Sequence, residues 1–359
     1  MVYRAIGLMS GSSLDGLDIV FVEFVENAGT WQYEILAADC YVYDAEWVAR
    51  LKNATQLVAR DYQLLHTQYG HYLGQQVNRF IEVNSLQYKV GLIASHGHTT
   101  FHEPANKMTG QIGDGAAIAA VTLLPVVSDL RALDVAFGGQ GAPIVPIGEK
   151  LLFSGYDYFL NIGGIANISV NAENYIAYDI CAANRVLNML AQDAGKAYDA
   201  GGEIARSGIV IDDLLSNLNA LDYYQLPFPK SLANSFGIET VYPLVKKYDA
   251  PVNDLLRTYT EHVALKIAEA VTNYGEEKKL LATGGGALNT FLIERLQHYL
   301  KEKNVVVEVP DEKLVNYKEA LIMALIGVLR WREEYNVIST VTGATRASIG
   351  GALWLGGEE

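Results

Sequence analysis

Two apolar hairpins with small-residue turns, half a chain apart, constrain the fold of this chain more than any other feature. The first is IGLMSGSSLDGLDIV, from Ile6 to Val20, and the second is FLNIGGIANIS, from Phe159 to Ser169. Glycine lets a turn adopt positive φ and lets backbone N–H groups come close to a ligand. Two such turns facing each other across a cleft would hold a polyphosphate from both sides. The pattern therefore favours a nucleotide-dependent enzyme.

Length, charge and cysteine content narrow the class of protein. The chain has 359 residues, half of them hydrophobic, which is too long for a typical single core and predicts two domains. The net charge of −14, without a lysine or arginine run, disfavours nucleic acid and anionic membranes as partners. Cys40 and Cys181 form no CxxC pair, which indicates a reducing compartment and no zinc site. No export signal and no apolar stretch near the roughly 18 residues of a membrane span are evident, so we expect a cytoplasmic protein.

Apolar runs alternate with helical patterns in both halves, which predicts an α/β fold. Each half follows one plan of three strands, helix, strand, helix and strand. The first expected strand opens the hairpin that begins at Ile6. The others are Leu17–Val25, Tyr33–Ala38, Val90–Ser95, Leu124–Ser128, Tyr156–Ile162, Ile165–Val170, Tyr175–Tyr178, Lys279–Ala282 and Val305–Val309. We expect one domain over residues 1–130, with the tail 338–359 packed on it, and a second domain over residues 131–337.

The first hairpin turn offers hydroxyls, backbone N–H groups and carboxylates. Successive N–H groups in a tight turn form an anion site, and the Mg²⁺ that accompanies ATP prefers oxygen ligands such as Asp15. An ordinary hairpin, whose serines and aspartate satisfy the turn, is the alternative. The candidate nucleotide-binding residues of this turn are Gly11, Ser12, Ser13, Leu14, Asp15, Gly16, Leu17 and Asp18.

A second glycine-rich segment follows a predicted strand and precedes a helical pattern. It reads ATGGGALN, from Ala282 to Asn289. Strand, glycines and helix in this order place a helix N-terminus against a nucleotide. A close steric contact between helix and strand would require glycine equally. With the second hairpin, the segment adds Gly163, Gly164, Gly284, Gly285 and Gly286 to the candidate nucleotide-binding residues.

Asp179 is expected to end a strand, shortly before Asn184 and Arg185. A carboxylate at the C-terminal end of a strand in an open α/β sheet faces the ligand crevice. Asp179 could therefore act as a general base. An N-cap for the next helix is the alternative.

Two polar segments of the first half are candidates for substrate contact. The segment His96-Gly97-His98 follows a predicted strand, and its histidine spacing is poor for a metal site. Arg131 precedes the glycine-rich run FGGQGAP and could hold an anionic substrate group through a bidentate contact. A surface ion pair between Arg131 and Asp134 is the alternative.

Several common nucleotide motifs are absent from the sequence. It contains no GxxxxGK[ST] P-loop, no GxGxxG after a strand and no protein-kinase motif set.

Seven collinear blocks carry a resemblance to a known family. They are GLMSGSSLDGLD (7–18), SHGHTTFHEP (95–104), GQIGDGAAIA (110–119), SDLRALDVAFGGQGAPIVP (128–146), LNIGGIANIS (160–169), ATGGGALN (282–289) and KEALIMALIG (318–327). In these blocks the chain resembles the anhydro-N-acetylmuramic acid kinase family, of the actin/hexokinase/Hsp70-like superfamily. The resemblance implies two RNase H-like domains with a nucleotide-binding cleft between them.

The resemblance also implies a reaction and its residues. ATP phosphorylates O6 of 1,6-anhydro-N-acetylmuramic acid while water opens the anhydro ring at C1, a step of peptidoglycan recycling. The expected ligands are therefore ATP, Mg²⁺ and an anhydro amino sugar. Asp179 matches the catalytic aspartate and would deprotonate the water. His96, Arg131, Asn184 and Glu319 are the expected sugar contacts, although Glu319 could instead complement a helix dipole at the start of a helix. The family suggests a homodimer.

The sequence departs from the family pattern on the sugar side. Asp179 is followed by ICAAN rather than TGPxN, the usual HGQ is HGH at His98, and PPKSxGRE is reduced over residues 228–235. Two alternatives therefore stand beside the family reaction. One is a kinase of a related sugar, and the other is a non-catalytic ATP-binding switch.

Overall fold

A computed structural model describes residues 1–11, 14–173, 175–227, 230–233, 235–273 and 275–357. The chain divides into two compact units, Met1–Ser154 with Tyr317–Glu359, and Gly155–Asn316. We call them the first and second unit. Their bounds differ from those predicted for the domains, because residues 131–154 and 317–337 belong to the first unit. The tail from residue 338 lies in the first unit as well.

The strands and helices are numbered here in chain order. The strands are β1 Val2–Ser10, β2 Gly16–Asn27, β3 Thr30–Val42, β4 Leu92–Glu103, β5 Met108–Ile112, β6 Val126–Ser128, β7 Tyr158–Ile162, β8 Ile165–Val170, β9 Ile176–Ala182, β10 Lys278–Thr283, β11 Val305–Glu308 and β12 Ala352–Trp354. The α-helices are α1 Ala45–Lys52, α2 Ala59–Val83, α3 Gly115–Thr122, α4 Ala132–Ala136, α5 Pro146–Leu152, α6 Asn184–Asp193, α7 Glu203–Arg206, α8 Asp212–Asn219, α9 Tyr242–Val245, α10 Val252–Ala270, α11 Thr290–Lys301, α12 Glu312–Trp331 and α13 Ser339–Thr342. In the described part of the chain, none of these helices combines the length and apolarity needed to cross a bilayer.

The two units contain sheets with the same strand order. In the first unit the order is β3-β2-β1-β4-β6, and in the second it is β9-β8-β7-β10-β11. In each sheet the first three strands of the unit pair antiparallel, and two further strands add in parallel. This is the RNase H-like arrangement, so the predicted α/β class and the repeated plan are both confirmed. The first sheet is extended by β12, antiparallel to β6, and by β5, antiparallel to β4.

The core of the first unit lies between its sheet and α2. Tyr69, Leu73, Val77 and Phe80 recur at helical spacing on α2 and are fully buried against the apolar residues of β1 and β2. On α12, the carbonyl oxygen of Ala320 would lie 2.0 Å from a Cβ at Gly7 of β1. Only glycine fits this contact, which ties α12 to β1. This explains why residues 317–337 pack with the first unit rather than the second.

The second unit has its own core around α10 and α11. Tyr259, Val263 and Ile267 of α10 are fully buried, as are Leu292 and Leu296 of α11. The predicted helix Leu255–Tyr274 is present, but it begins at Val252 and ends at Ala270. Full burial of a large apolar side chain contributes roughly 1.5–3 kcal/mol, so these faces account for much of the stability of the unit.

Three predicted boundaries are wrong at places that matter for the site. Strand β4 continues to Glu103 because it pairs with β5, so the expected loop after Ser95 is strand. Strand β9 continues to Ala182, so Asp179 lies within it rather than at its end. Helix α12 begins at Glu312, seven residues before Glu319.

Candidate active site

The turn of the first hairpin joins Ser10 at the end of β1 to Gly16 at the start of β2. Leu14 has φ of 59°, and its N–H donates to the carbonyl of Gly11 over 3.4 Å. The left-handed position in the described turn is therefore a leucine. Gly16 is required by packing, because a Cβ there would lie 2.6 Å from Sγ of Cys40. Ser12 and Ser13, predicted to contribute hydroxyls, lie outside the described residues.

A buried chain of hydroxyls holds the base of this turn. Oγ of Ser10 lies 3.1 Å from Nδ1 of His98 and accepts a hydrogen bond of 2.9 Å from Tyr43, whose hydroxyl lies 2.6 Å from that of Tyr69. Burial lowers the pKa of His98 to about 4, so the imidazole is neutral near pH 7. A satisfied buried polar chain fixes its members in one arrangement. The sequence predicts the hydroxyl of Ser10 as part of the turn, but it does not reveal Tyr43, in the loop before α1, or Tyr69, in α2.

Two carboxylates of the first hairpin differ in their environment. Asp15 is exposed in the turn, whereas Asp18 is half-buried in β2. Burial raises the pKa of Asp18 to about 6; the Cys40 thiol lowers it, and the charges of Asp15 and Glu319 raise it further. Burial and the neighbouring Asp18 raise the pKa of Cys40 to about 12, so that side chain stays a thiol.

The described residues contain no group of three or more His, Cys, Asp or Glu side chains arranged to hold a metal ion. Mg²⁺ commonly takes one or two protein carboxylates together with phosphate oxygens and waters. Asp15, exposed beside the anion-type turn, fits that donor set. The residues present therefore suit a magnesium ion carried with a nucleotide.

His96 orients Arg131 through a neutral imidazole. Nδ1 of His96 lies 2.9 Å from the carbonyl oxygen of Gly97, which can only accept, so Nδ1 carries the hydrogen. Nε2 is then an acceptor, and Nε of Arg131 donates to it over 2.9 Å. Burial, and next the charge of Arg131, lower the pKa of His96 to about 3. Nη1 of Arg131 donates to the carbonyl of Gly141 over 2.5 Å.

The predicted alternatives for Arg131 and Glu319 are both wrong. Asp134 accepts from the N–H of Gly141 and from the hydroxyl of Thr342, each over 2.7 Å, and no described ion pair joins it to Arg131. Glu319 lies two turns inside α12, beyond the reach of the helix N-terminus.

Glu319 and Arg131 are instead coupled to each other. Burial raises the pKa of Glu319, and the charges of Lys318 and Arg131 oppose that rise. Burial lowers the pKa of Arg131 to about 10, and the charges of Glu319 and then Asp134 oppose that fall. Because Glu319 also acts on Asp18, the first unit brings segments 15–18, 96–98, 131 and 319 into one electrostatic cluster.

In the second unit, Asp179 is fixed through one carboxylate oxygen. Oδ2 accepts from the N–H of Leu232 over 2.9 Å and from the hydroxyl of Ser231 over 3.3 Å. No hydrogen bond from a described residue engages Oδ1. Burial raises the pKa of Asp179, while Leu232 and Ser231 lower it. The N-cap alternative is wrong, because α6 begins at Asn184 and is preceded by Ala183.

The backbone of Asp179 is held as well. Its N–H donates to the carbonyl of Lys230 over 3.1 Å, and its carbonyl accepts from the hydroxyl of Tyr223 over 2.7 Å. Nζ of Lys230 donates to the carbonyl of Tyr223 over 3.1 Å and lies 4.6 Å from the centre of its ring. Residues 228–235, which depart from the family pattern, therefore hold Asp179 through Lys230, Ser231 and Leu232. Phe228, Pro229 and Asn234 of this segment lie outside the described residues.

The turn of the second hairpin is bonded to the start of α6. The carbonyls of Gly163 and Gly164 accept from the N–H groups of Asn184 over 3.0 Å and Ala183 over 2.9 Å, and Nδ2 of Asn184 donates to the carbonyl of Ile162 over 3.0 Å. Neither glycine has positive φ, so the expectation that they supply a left-handed turn is wrong. A Cβ on either would meet no described atom closer than 3.5 Å, so packing within the described residues does not require glycine at these two positions.

The three consecutive glycines have different surroundings. Gly284 has φ of +78°, and its Cβ would lie 2.3 Å from Oδ1 of Asn161, while a Cβ on Gly286 would lie 2.2 Å from Ile162. The steric alternative therefore explains these two glycines. Gly285 is exposed, and its Cβ would have no neighbour closer than Asn184, at 3.9 Å. A 3₁₀ turn at Gly285–Leu288 precedes α11, so the helix starts later than expected and is capped by Asn289.

The chain is an α/β protein of two RNase H-like units, and each unit has a sheet with a small-residue hairpin turn. The second unit also holds Asp179, whose Oδ1 has no described hydrogen-bond partner. The family model for anhydro-N-acetylmuramic acid kinase matches residues 3–356. Similar proteins with that name come from Aliivibrio fischeri (34% identical, covering 97% of this chain and 98% of the relative) and Vibrio parahaemolyticus (32%, covering 97% of each). A third, from Sulfurovum sp., is 33% identical, and the alignment covers 98% of this chain and 99% of the relative. The chain belongs to the anhydro-N-acetylmuramic acid kinase family.

Proposed function

We propose that this protein uses ATP and water to convert 1,6-anhydro-N-acetylmuramic acid to N-acetylmuramic acid 6-phosphate. Membership of the family supports the reaction. The observation that carries it in the structure is the carboxylate of Asp179, with Oδ2 held by two donors and Oδ1 left without a described partner. The proposed setting is the cytoplasm, where ATP is available, and the proposed pathway is peptidoglycan recycling.

Asp179 is the proposed general base. Oδ1 takes a proton from the water whose oxygen attacks C1 of the sugar, and the C1–O6 bond breaks as the C1–OH bond forms. O6 then takes the γ-phosphoryl group, and ADP leaves. A base works best when its pKa approaches the working pH, and burial moves the pKa of Asp179 in that direction. The chemistry at C1 resembles that of an inverting glycosidase.

Four residues are proposed to form the sugar site: Arg131, Asn184 and Glu319 would contact the sugar directly, and His96 would act through Arg131. Arg131 is anchored by His96 and Gly141, which leaves Nη2 for an anionic group of the substrate. Glu319, half-buried and coupled to Arg131, is proposed to accept from a sugar hydroxyl. Asn184, anchored through Nδ2, keeps its amide oxygen available as an acceptor.

The nucleotide is proposed to bind the small-residue turns of the two hairpins and the exposed face of the triple glycine. These residues are Gly11, Ser12, Ser13, Leu14, Asp15, Gly16, Leu17, Asp18, Gly163, Gly164, Gly284, Gly285 and Gly286. Asp15 is the proposed ligand of Mg²⁺. When bound, the ion neutralises charge on the transferring phosphoryl group.

Product analysis in ¹⁸O water tests the proposal. We expect one ¹⁸O atom at C1 of the phosphorylated product, and loss of turnover with retained ATP binding in Asp179→Asn. Asp213→Asn, an exposed carboxylate of α8, is the matched control and should turn over normally. Phosphorylation without label at C1, or full turnover by Asp179→Asn, would contradict the role of Asp179.

Two further points accompany this test. A panel of related sugars with ADP detection distinguishes the family substrate from a related one. Residues 180–183, where the sequence departs from the family pattern, are all buried in the core of the second unit, which supports the family substrate. The homodimer suggested by the family stays a prediction, which sedimentation would test.

A further inference from the structure

Arg185 lies against the turn of the second hairpin. It is the second residue of α6, which is bonded through Ala183 and Asn184 to the carbonyls of that turn. Nε and Nη2 of Arg185 each lie 3.6 Å from the position that a Cβ on Gly164 would occupy. The guanidinium therefore covers the small-residue turn, at a distance where a larger residue than glycine would come into contact with it.

This guanidinium has no anionic partner in the described part of the chain. Its Nε is enclosed by protein and makes no hydrogen bond, and no described carboxylate pairs with the side chain. Arg295 and Arg332, by contrast, pair with Glu261 and Glu26. A buried donor such as this Nε costs free energy when no acceptor satisfies it. In a protein with a net charge of −14, the missing partner is not explained by a shortage of carboxylates.

The surroundings of Arg185 suit an anion that accepts several hydrogen bonds. The N–H of Gly164 has no partner among the described residues. Gly285 is exposed, and the nearest described atom to a Cβ placed on it is Nδ2 of Asn184, at 3.9 Å. An arginine fork beside a backbone N–H donor matches the oxygens of a phosphate, because the planar guanidinium can bind two of them at once.

We propose that Arg185 binds a phosphate group of the nucleotide at the turn formed by Gly163 and Gly164. This inference rests on the ATP dependence in the proposed function. It assigns the phosphate a side-chain cation in addition to the backbone of the turn. The contact would also supply an acceptor for Nε, which has none among the described residues.

The test compares Arg185→Met and Arg185→Lys with Arg60→Met in titration calorimetry. Arg60 is exposed on α2, so its replacement removes the same charge away from the turn. We expect Arg185→Met to bind MgATP and MgADP at least tenfold more weakly than wild type. Adenosine, which carries no phosphate, should bind Arg185→Met and wild type equally. For MgATP, Arg185→Lys should recover part of the affinity, and Arg60→Met should match wild type.

Three outcomes are informative. Equal MgATP affinity in Arg185→Met and Arg60→Met overturns the assignment and leaves the proposed function intact. Equal weakening of MgATP and adenosine binding also overturns it, because the role of Arg185 is then structural. If wild type binds no MgATP, the proposed function fails. The phosphate site at Arg185 is then tested with tripolyphosphate, which should stabilise wild type and Arg60→Met against thermal unfolding but should not stabilise Arg185→Met.

Discussion

Nε of Arg131 donates a hydrogen bond of 2.9 Å to Nε2 of His96, and this bond requires a neutral imidazole. The second imidazole nitrogen is committed to the carbonyl of Gly97, so the tautomer is fixed by the backbone. A histidine that never gains a proton near pH 7 can hold the guanidinium without repelling it. His96 is thus a positioning residue for Arg131, in contact with a cation rather than with a metal.

Replacing His96 should weaken sugar binding more than the phosphoryl transfer itself. In His96→Ala, the guanidinium of Arg131 loses an acceptor and its fixed orientation, which costs about 1–3 kcal/mol. We expect KM for the anhydro sugar to rise about tenfold or more, with a smaller change in kcat and an unchanged KM for ATP. Steady-state kinetics would measure this, with exposed His71→Ala of α2 as the control. A loss confined to kcat would contradict a positioning role.

Asp18 should make the protein less stable as the pH rises. Its pKa in the folded state is about 6, above the ordinary value of 3.8, so the folded state binds more protons than the unfolded state between these values. The free energy of unfolding therefore falls as the pH rises through this window, by roughly 1–3 kcal/mol. Urea unfolding of wild type and Asp18→Asn between pH 4 and 7 should show a smaller fall in the variant. Parallel curves would contradict the assigned pKa.

The sequence predicts strands better than it predicts where they end. Hydrophobic runs located the five-stranded plan in both halves, because strands such as β1, β2, β7 and β10 are apolar and buried over most of their length. The end of β4 was missed because His96 and His98 are polar yet buried, and pairing with β5 keeps the strand extended. The start of α12 was missed because its first turns, up to Asn316, are polar and carry a weak apolar pattern.

The candidate site was predicted in its backbone motifs more than in its side-chain partners. Arg131 and Glu319 lie in the family blocks, whereas Asp179 is predicted from its expected place at a strand end and from the resemblance. The contacts that join His98, Ser10 and Tyr43 form only through the tertiary fold, which local sequence patterns do not encode. The sequence also does not show why each glycine is present: close packing against Asn161 explains Gly284, whereas no described atom lies close enough to require Gly285.

Gly285 and Gly284 offer a matched pair of substitutions. Gly285→Ala has room for its Cβ and should fold with stability close to wild type, but weaken MgATP binding if the nucleotide approaches this backbone. Gly284→Ala would place a Cβ 2.3 Å from Asn161 at a φ of +78°, and should lose at least about 1–2 kcal/mol of stability. Thermal unfolding and MgATP titration of both variants separate the two effects. Unchanged nucleotide affinity in Gly285→Ala would remove this residue from the proposed site.

Ser231 should tune the acid limb of the pH–rate profile. Its hydroxyl donates to Oδ2 of Asp179 and lowers the pKa of that carboxyl, against the rise caused by burial. In Ser231→Ala the pKa of Asp179 rises, so a base that must be ionised becomes active only at higher pH. We expect the acid limb of kcat/KM for the anhydro sugar to move upward by a few tenths of a pH unit or more, with activity recovering at alkaline pH. Ser216→Ala, an exposed serine of α8, is the control and should keep the wild-type profile. Ser231 is the only described side chain that donates a hydrogen bond to the carboxylate of Asp179. If the acid limb does not move in Ser231→Ala, a group other than Asp179 sets it.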